Sequence, residues 1–199
     1  MSAIYFIYLM KNINVKIIYE RCNNMLKLVK PSIKYKKQYI EMMQEWELSG
    51  EKIIPYSIRI ADYNNFETMI EHFEKESNGI DLKPNQVPAT TLWAYDDKKD
   101  KIVGAVNIRH KLNESLLKNG GHIGDGVRPS ERRKGYATEM IRLALEECKK
   151  LGINRVLMVC YKDNIGSSKS IQNNGGILEN EIPAEDDKID QRYWIDLNF

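Results

Sequence analysis

One segment constrains this chain more than any other, because it joins a predicted β-strand directly to the longest predicted helix. Residues 121–127 have the composition of a strand, and residues 133–151 carry apolar side chains at helical spacing. The connecting loop ends in Arg-Arg-Lys-Gly at residues 132–135, where a helix exposes unpaired N–H groups. These groups, the helix dipole and the basic side chains all favour an anion. The segment is therefore predicted to bind a pyrophosphate.

The spacing of residues in this loop distinguishes three kinds of phosphate-binding loop. The dinucleotide fingerprint GxGxxG would need a glycine at position 129, which is Pro129. The P-loop pattern GxxxxGK[ST] would need a lysine directly after Gly135, where the chain has Tyr136. A third pattern, V-x-P-x-x-[QR]-x-x-G-x-[GA], is satisfied at every constrained position, namely Val127, Pro129, Arg132, Gly135 and Ala137.

Through this third pattern the chain resembles the GNAT superfamily of N-acetyltransferases, whose loop of this form binds the pyrophosphate of acetyl-CoA. The residues Lys-Asp-Asn-Ile-Gly-Ser at 162–167 also resemble the family signature N-x-x-[AS] at the start of the next helix. The resemblance covers roughly residues 26–197. It implies an acetyl-CoA site formed by Val127, Arg132, Arg133, Lys134, Gly135, Tyr136, Ala137, Thr138, Asn164 and Ser167. Asn164 is also suited to cap the helix, and the two roles are compatible.

The remaining sequence alternates between strand and helix patterns. Strands are predicted at 26–29, 90–95, 101–110, 121–127, 155–160, 176–182 and 192–197, and helices at 32–48, 62–78, 133–151 and 165–174. This order predicts an α/β (α+β) fold, with a mixed, mainly antiparallel central sheet that contains a parallel segment and is flanked by helices. Residues 25–199 are predicted to form the acetyltransferase domain. Residues 1–24 are predicted to be an N-terminal extension, which is either an extra strand or hairpin, or a segment outside the core.

Composition limits the partners and the compartment. The chain has 199 residues, a size typical of one domain, and 30 Lys plus Arg against 28 Asp plus Glu give a net charge of only +2. This balance provides no global attraction to nucleic acid or to an anionic membrane. The longest apolar run, residues 3–10, is far short of the ~20 residues that span a bilayer. Three cysteines without a CxxC pair favour a cytoplasmic location.

The reaction implied by the resemblance is direct attack of an amine on the thioester of acetyl-CoA. A backbone N–H near Val127 would stabilise the oxyanion. The candidate general bases on the predicted strand are His122 and Asp125, and Asn164 is a further catalytic candidate. The histidines have no metal-ligand spacing, so no metal is expected. The family often has a tyrosine seven residues after the asparagine, where it can protonate the thiolate, but this chain has Ile171.

The acceptor amine is expected to contact the first two helices and the loop that joins them. Trp46 and Tyr56 could pack against its apolar part, and Glu51 could attract a cation. The sequence thus predicts an N-acetyltransferase that acts on a primary amine of a small molecule or a peptide. One alternative is a CoA-binding module or sensor with little catalysis, which the missing tyrosine favours. The other is a nucleic-acid binder, but the basic residues 132–134 lack the interleaved aromatic residues on which bases stack. A homodimer is compatible with the sequence.

Overall fold

The computed structural model describes residues 26–185 and 187–197, so the predicted extension at residues 1–24 lies outside the described part. The strands are β1 (Leu26–Val29), β2 (Ala89–Asp96), β3 (Lys101–Arg109), β4 (Ile123–Val127), β5 (Arg155–Tyr161), β6 (Ile177–Pro183) and β7 (Ile189–Asp196). The helices are α1 (Lys36–Leu48), α2 (Tyr56–Arg59), α3 (Phe66–Ser77), α4 (Tyr136–Lys150) and α5 (Ile165–Asn173). No described helix has both the length and the apolar character required to cross a bilayer.

The strands form two antiparallel sheets, one in the order β1-β2-β3-β4 and the other in the order β5-β7-β6. The sheets meet at the start of β4, where the backbone N–H of His122 donates to the carbonyl oxygen of Leu157 at 2.7 Å. Beyond this point no strand pairing joins β4 to β5 in the described residues. The strands β4 and β5 are therefore unpaired with each other along their lengths. The predicted fold class, an α/β fold with a mainly antiparallel sheet flanked by helices, is confirmed. The described strands form two sheets rather than one, and all of their pairings are antiparallel.

Helices cover both faces of the first sheet, and each helix packs through its apolar stripe. The face toward α1 and α3 contains a cluster that includes Tyr39, Trp46, Phe66 and Trp93, and the ring centroids of Tyr39 and Trp93 are 4.3 Å apart. The opposite face carries α4, which buries Met140, Ile141, Ala144, Leu145 and Cys148 against β-strand residues. Burial of these side chains removes apolar surface from water and so fixes α4 against the sheet.

Several boundaries differ from those predicted. Helix α4 begins at Tyr136 rather than at residue 133, because Arg133 and Gly135 have left-handed backbone conformations, with φ of 63° and 85°. Two short helical segments, α2 and the π-helical turn Leu116–Gly120, were not predicted. Both are too short to produce a helical period of apolar residues, which is the signal that identifies longer helices.

Candidate active site

The N-terminus of α4 directly follows the loop after β4 and has the features of an anion site. No side chain caps this helix, and its first internal hydrogen bond runs from the N–H of Glu139 to the carbonyl oxygen of Gly135 at 3.2 Å. The N–H groups of residues 136–138 thus have no acceptor among the described residues. An ideal Cβ on Gly135 would meet no atom within 4 Å, so the space before the helix is open. An anion can approach these amides closely.

The basic side chains of this loop have different surroundings. Arg133 is exposed and forms no ion pair with a described residue. The ammonium of Lys134 instead donates to the backbone oxygen of Ser130 at 2.7 Å and to the Glu131 carboxylate at 2.9 Å. Glu131 is buried, and Lys99 also pairs with it at 2.8 Å. Arg133 is therefore the basic residue of the loop whose charge is available to a bound anion.

Two arginines hold the loop against the rest of the protein. Arg132 donates through Nε to the carbonyl oxygen of Val127 at 3.1 Å and through Nη1 to Glu51 at 2.5 Å. Arg128 is buried and donates through Nε to Glu45 on α1 at 2.7 Å, and the same carboxylate accepts from the N–H of Ser130 at 2.8 Å. Arg132 and Glu51, predicted as a cofactor and a substrate residue, thus bind each other. Glu45 and Arg128 were not predicted, because their pairing links positions distant in sequence.

The first residues of α4 have side chains that point to different places. The Tyr136 hydroxyl donates to Asp96 on β2 at 2.5 Å, and its ring is largely buried. The hydroxyl of Thr138 donates to Ser170 on α5 at 3.2 Å. These side chains anchor the start of α4, so the positions predicted from residues 136–138 can contribute to an anion site through their backbone N–H groups.

The start of α5 lies beside the end of β5. The Asn164 side chain caps α5 by accepting a hydrogen bond from the N–H of Ser167 at 3.1 Å. The side-chain amide nitrogen of Asn164 is exposed and donates to no described residue. Burial raises the pKa of the Cys160 thiol to about 11, and the nearby Ser167 opposes this shift. Ile171, at the position where the family often has a tyrosine, is fully buried.

The two predicted bases on and beside β4 have contrasting environments. The Nδ1 atom of His122 accepts a hydrogen bond from the N–H of Leu157 at 2.9 Å, and burial, with a contribution from Arg109, lowers the pKa of His122 to about 4. This lone pair is occupied, which favours a structural role. The Asp125 carboxylate has no hydrogen-bond partner among the described residues, and burial raises its pKa to about 6. Asp125 pairs with Val106 of β3, so its side chain lies on the sheet face that carries α4, and its carboxylate is the better candidate of the two to accept a proton.

A cavity of about 670 Å³ lies on the sheet face that carries α1 and α3. Tyr56, predicted as an acceptor residue, lines it and is exposed, and the cavity also contains Asn107, Arg109 and Glu76. Trp46 is 1% exposed and belongs to the core. This burial contradicts the prediction that Trp46 contacts an acceptor. Trp46 follows the other apolar residues of α1 at helical spacing, which is the pattern of a core position.

The loop between α1 and α2 covers β4 on the cavity side. A Cβ on Gly126 would collide with the backbone oxygen of Ile54, and one on Gly124 would lie 3.5 Å from the Cβ of Pro55. The same Cβ on Gly124 would lie 3.6 Å from Nη2 of Arg109. The glycines of β4 therefore allow this loop and the cavity wall to approach the backbone of the strand. Within the described residues, no group of His, Cys, Asp and Glu side chains could hold a metal ion.

Comparison with known proteins agrees with this arrangement. The family model of the acetyltransferase (GNAT) domain matches residues 26–177, about three quarters of the chain. The chain belongs to the GNAT acetyltransferase family. This membership confirms the expected enzyme class, an acetyl-CoA-dependent acyltransferase. No curated protein matches the sequence significantly.

Solved structures of GNAT acetyltransferases share the fold at low sequence identity. The microcin C7 self-immunity acetyltransferase MccE, solved with acetyl-CoA and AMP, has a TM-score of 0.64 and 20% identity over 88% of this chain and 94% of its own. RimL, a ribosomal L7/L12 α-N-protein acetyltransferase solved with coenzyme A, has a TM-score of 0.63 and 12% identity over 87% and 95%. A GNAT-family acetyltransferase from Bacillus anthracis has a TM-score of 0.60 and 17% identity over 88% and 97%.

Proposed function

We propose that this GNAT protein transfers an acetyl group from acetyl-CoA to a primary amine of a small molecule or a peptide. Acetyl-CoA supplies the activated acetyl group, and the residues of this chain bind its pyrophosphate, orient the amine and accept a proton. The observation that carries the proposal is the uncapped N-terminus of α4, which follows β4 through Gly135 and presents free N–H groups beside exposed Arg133. An anion at this point would be stabilised by the amides and by the helix dipole.

The proposed cofactor site combines backbone and side-chain groups. The N–H groups of residues 136–138 and the guanidinium of Arg133 would bind the pyrophosphate. Arg132 supports the loop through Val127 and Glu51 rather than through a direct contact. The free side-chain amide of Asn164 would donate to the pantetheine arm, while its oxygen caps α5. Because β4 and β5 are not paired with each other, that arm would pass between these two strands.

Asp125 is the proposed proton acceptor. An amine reacts only after it loses a proton, and a carboxylate with a pKa of about 6 is largely ionised at neutral pH yet more basic than an ordinary aspartate. Its position two residues before the end of β4 is also adjacent to the backbone proposed to stabilise the oxyanion. Ile171 provides no acid for the thiolate, so its protonation would fall to solvent or to Tyr161, which is exposed at the end of β5.

The acceptor is proposed to enter through the cavity lined by Tyr56, because this cavity borders β4 through Arg109 and Gly124. Asp125 lies on the opposite face of β4, so the amine would reach it between β4 and β5. Of the solved structures that share this fold, RimL is described as a ribosomal L7/L12 α-N-protein acetyltransferase and MccE as a microcin C7 self-immunity acetyltransferase. These descriptions support an acceptor that contains an amino-acid or peptide amine.

The experiment that tests this function measures thiol release from acetyl-CoA in the presence of amino acids, short peptides, polyamines and aminoglycosides. Acetyl transfer to at least one class, with binding of CoA measured by calorimetry, would support the proposal. Tight binding of CoA without acetylation of any amine would instead favour the CoA-binding module. Failure to bind CoA would contradict both.

A further inference from the structure

We propose that the cavity beside β4 selects amines that also carry an oxyanion, a carboxylate or a phosphate, and that Arg109 and Glu76 recognise them. The inference rests on the proposed function, since it names the acceptor class for the same site.

Arg109 provides a fixed cation in the cavity wall. It ends β3 and lies on the cavity side of the sheet, where Nη1 donates to the carbonyl oxygens of Gly120 at 2.9 Å and Gly121 at 3.0 Å. The other guanidinium N–H groups donate to no described residue. A guanidinium held by one nitrogen presents its remaining donors in a rigid plane, which suits the two oxygens of a carboxylate or a phosphate.

Glu76 provides a carboxyl group whose hydrogen-bonding capacity is unused. Its Oε2 atom is completely buried and has no hydrogen-bond partner among the described residues. Burial raises the pKa of Glu76, while His72 and Arg109 act in the opposite direction. A ligand cannot contact this buried oxygen, but the part of Glu76 that lines the cavity adds negative charge there, which would attract an ammonium into the cavity before the amine is deprotonated.

Two residues of the cavity wall, Arg109 and Asn107, lie next to strand β4. Arg109 lies against Gly124 of β4, and Asn107, also a cavity residue, pairs with Gly124 in the sheet register. Asn107 is held by its Nδ2 donation to Thr91 at 3.1 Å, and Thr91 donates to Ser57 at 3.1 Å. The volume of about 670 Å³ is in the range of small-molecule sites. An amino-acid or peptide-sized ligand with both charges would satisfy the wall groups together.

The inference can be tested with pairs of amines that differ only in the oxyanion. The affinities of β-alanine and 3-aminopropanamide, and of 3-aminopropyl phosphate and 3-aminopropanol, are measured by calorimetry on the full chain, with and without saturating CoA. In at least one pair we expect the oxyanion-bearing amine to bind about tenfold tighter or more. The first pair measures the contribution of a carboxylate and the second that of a phosphate, so the experiment shows which of the two oxyanions the cavity prefers.

Variants assign the difference to the two residues. Arg109→Lys keeps a positive charge but loses the planar fork, and it should remove most of the affinity difference within the pair. Glu76→Gln should weaken both members of the pair. Arg155→Lys, on the exposed surface, and Glu74→Gln, on the exposed side of α3, are matched controls and should change neither affinity.

Equal affinities within both pairs, or no binding of any of the four amines, would overturn the inference. A difference within a pair that persists in Arg109→Lys would overturn the assignment to Arg109, provided that circular dichroism shows a native fold. Failure of CoA binding alone would contradict the proposed function, and the measurements without CoA would still decide the inference about the cavity.

Discussion

The Nδ1 atom of His122 accepts a hydrogen bond from the backbone N–H of Leu157, at the one place where β4 and β5 are joined in the described part of the chain. The same two residues are linked again by the N–H of His122 and the carbonyl oxygen of Leu157. The imidazole therefore replaces a strand partner at the start of the unpaired strands β4 and β5, between which the proposed cofactor would extend.

We predict that His122→Phe lowers the free energy of unfolding by about 1–3 kcal/mol, because the buried N–H of Leu157 loses its acceptor. The pKa of His122 is lowered to about 4, so the unfolded chain binds a proton that the folded chain resists, and stability falls as the pH drops from about 6.5 to about 4. The variant should lose this part of the pH dependence. Denaturant unfolding at several pH values measures both effects, and the exposed His72→Gln is the control.

We predict that Glu131→Gln destabilises the protein by about 1–3 kcal/mol and loosens the loop before α4. Burial opposes ionisation of Glu131, but hydrogen bonds from Lys99, Lys134 and Lys101 outweigh it and lower its pKa to about 2. Its stabilising contribution is complete above pH 4.5 and is lost as the pH falls toward 2. Thermal unfolding measures the change. The control is Glu146→Gln, because Glu146 forms an exposed ion pair with Lys149. If Glu131→Gln lowers the unfolding temperature no more than this control, Glu131 does not stabilise the loop.

We predict that Asp125→Asn abolishes most acetyl transfer while it stabilises the fold at neutral pH by about 1–2 kcal/mol. The pKa of Asp125 is raised to about 6, so the folded chain disfavours its ionised form, and stability is lost as the pH rises from 3.8 to about 6. In the wild type, kcat/KM should rise with pH through about 6 because the base must be ionised. A variant with unchanged kcat/KM and an unchanged pH profile would show that another group accepts the proton.

We predict that Arg133→Glu weakens CoA binding about tenfold or more with little change in unfolding temperature, because Arg133 is exposed and unpaired within the described residues. Lys134→Gln should have a smaller effect on CoA affinity, since its ammonium is bound to Glu131 and Ser130. Equal losses in the two variants, measured by calorimetry, would indicate that Lys134 leaves Glu131 when the cofactor binds.

The sequence predicted the parts of this protein that depend on local pattern. The alternation of strand and helix patterns, with the apolar period of α4, was sufficient for the fold class, and the motif from Val127 to Ala137 led to the proposed cofactor loop. Contacts between distant positions were not predictable. The pairing of Arg128 with Glu45 and the cavity position of Glu76 depend on how α1 and α3 pack on the sheet, which no local pattern specifies.

The most direct test of the pyrophosphate site compares Gly135→Asp with Gly152→Asp. Both glycines have left-handed φ values, 85° and 74°, and a Cβ at either would meet no atom within 4 Å, so the backbone strain is matched. Gly135 precedes the N-terminus of α4, whereas Gly152 follows its C-terminus. Calorimetry should show that Gly135→Asp loses about tenfold or more in CoA affinity and that Gly152→Asp keeps it. Equal CoA affinities for both variants and the wild type would contradict the account.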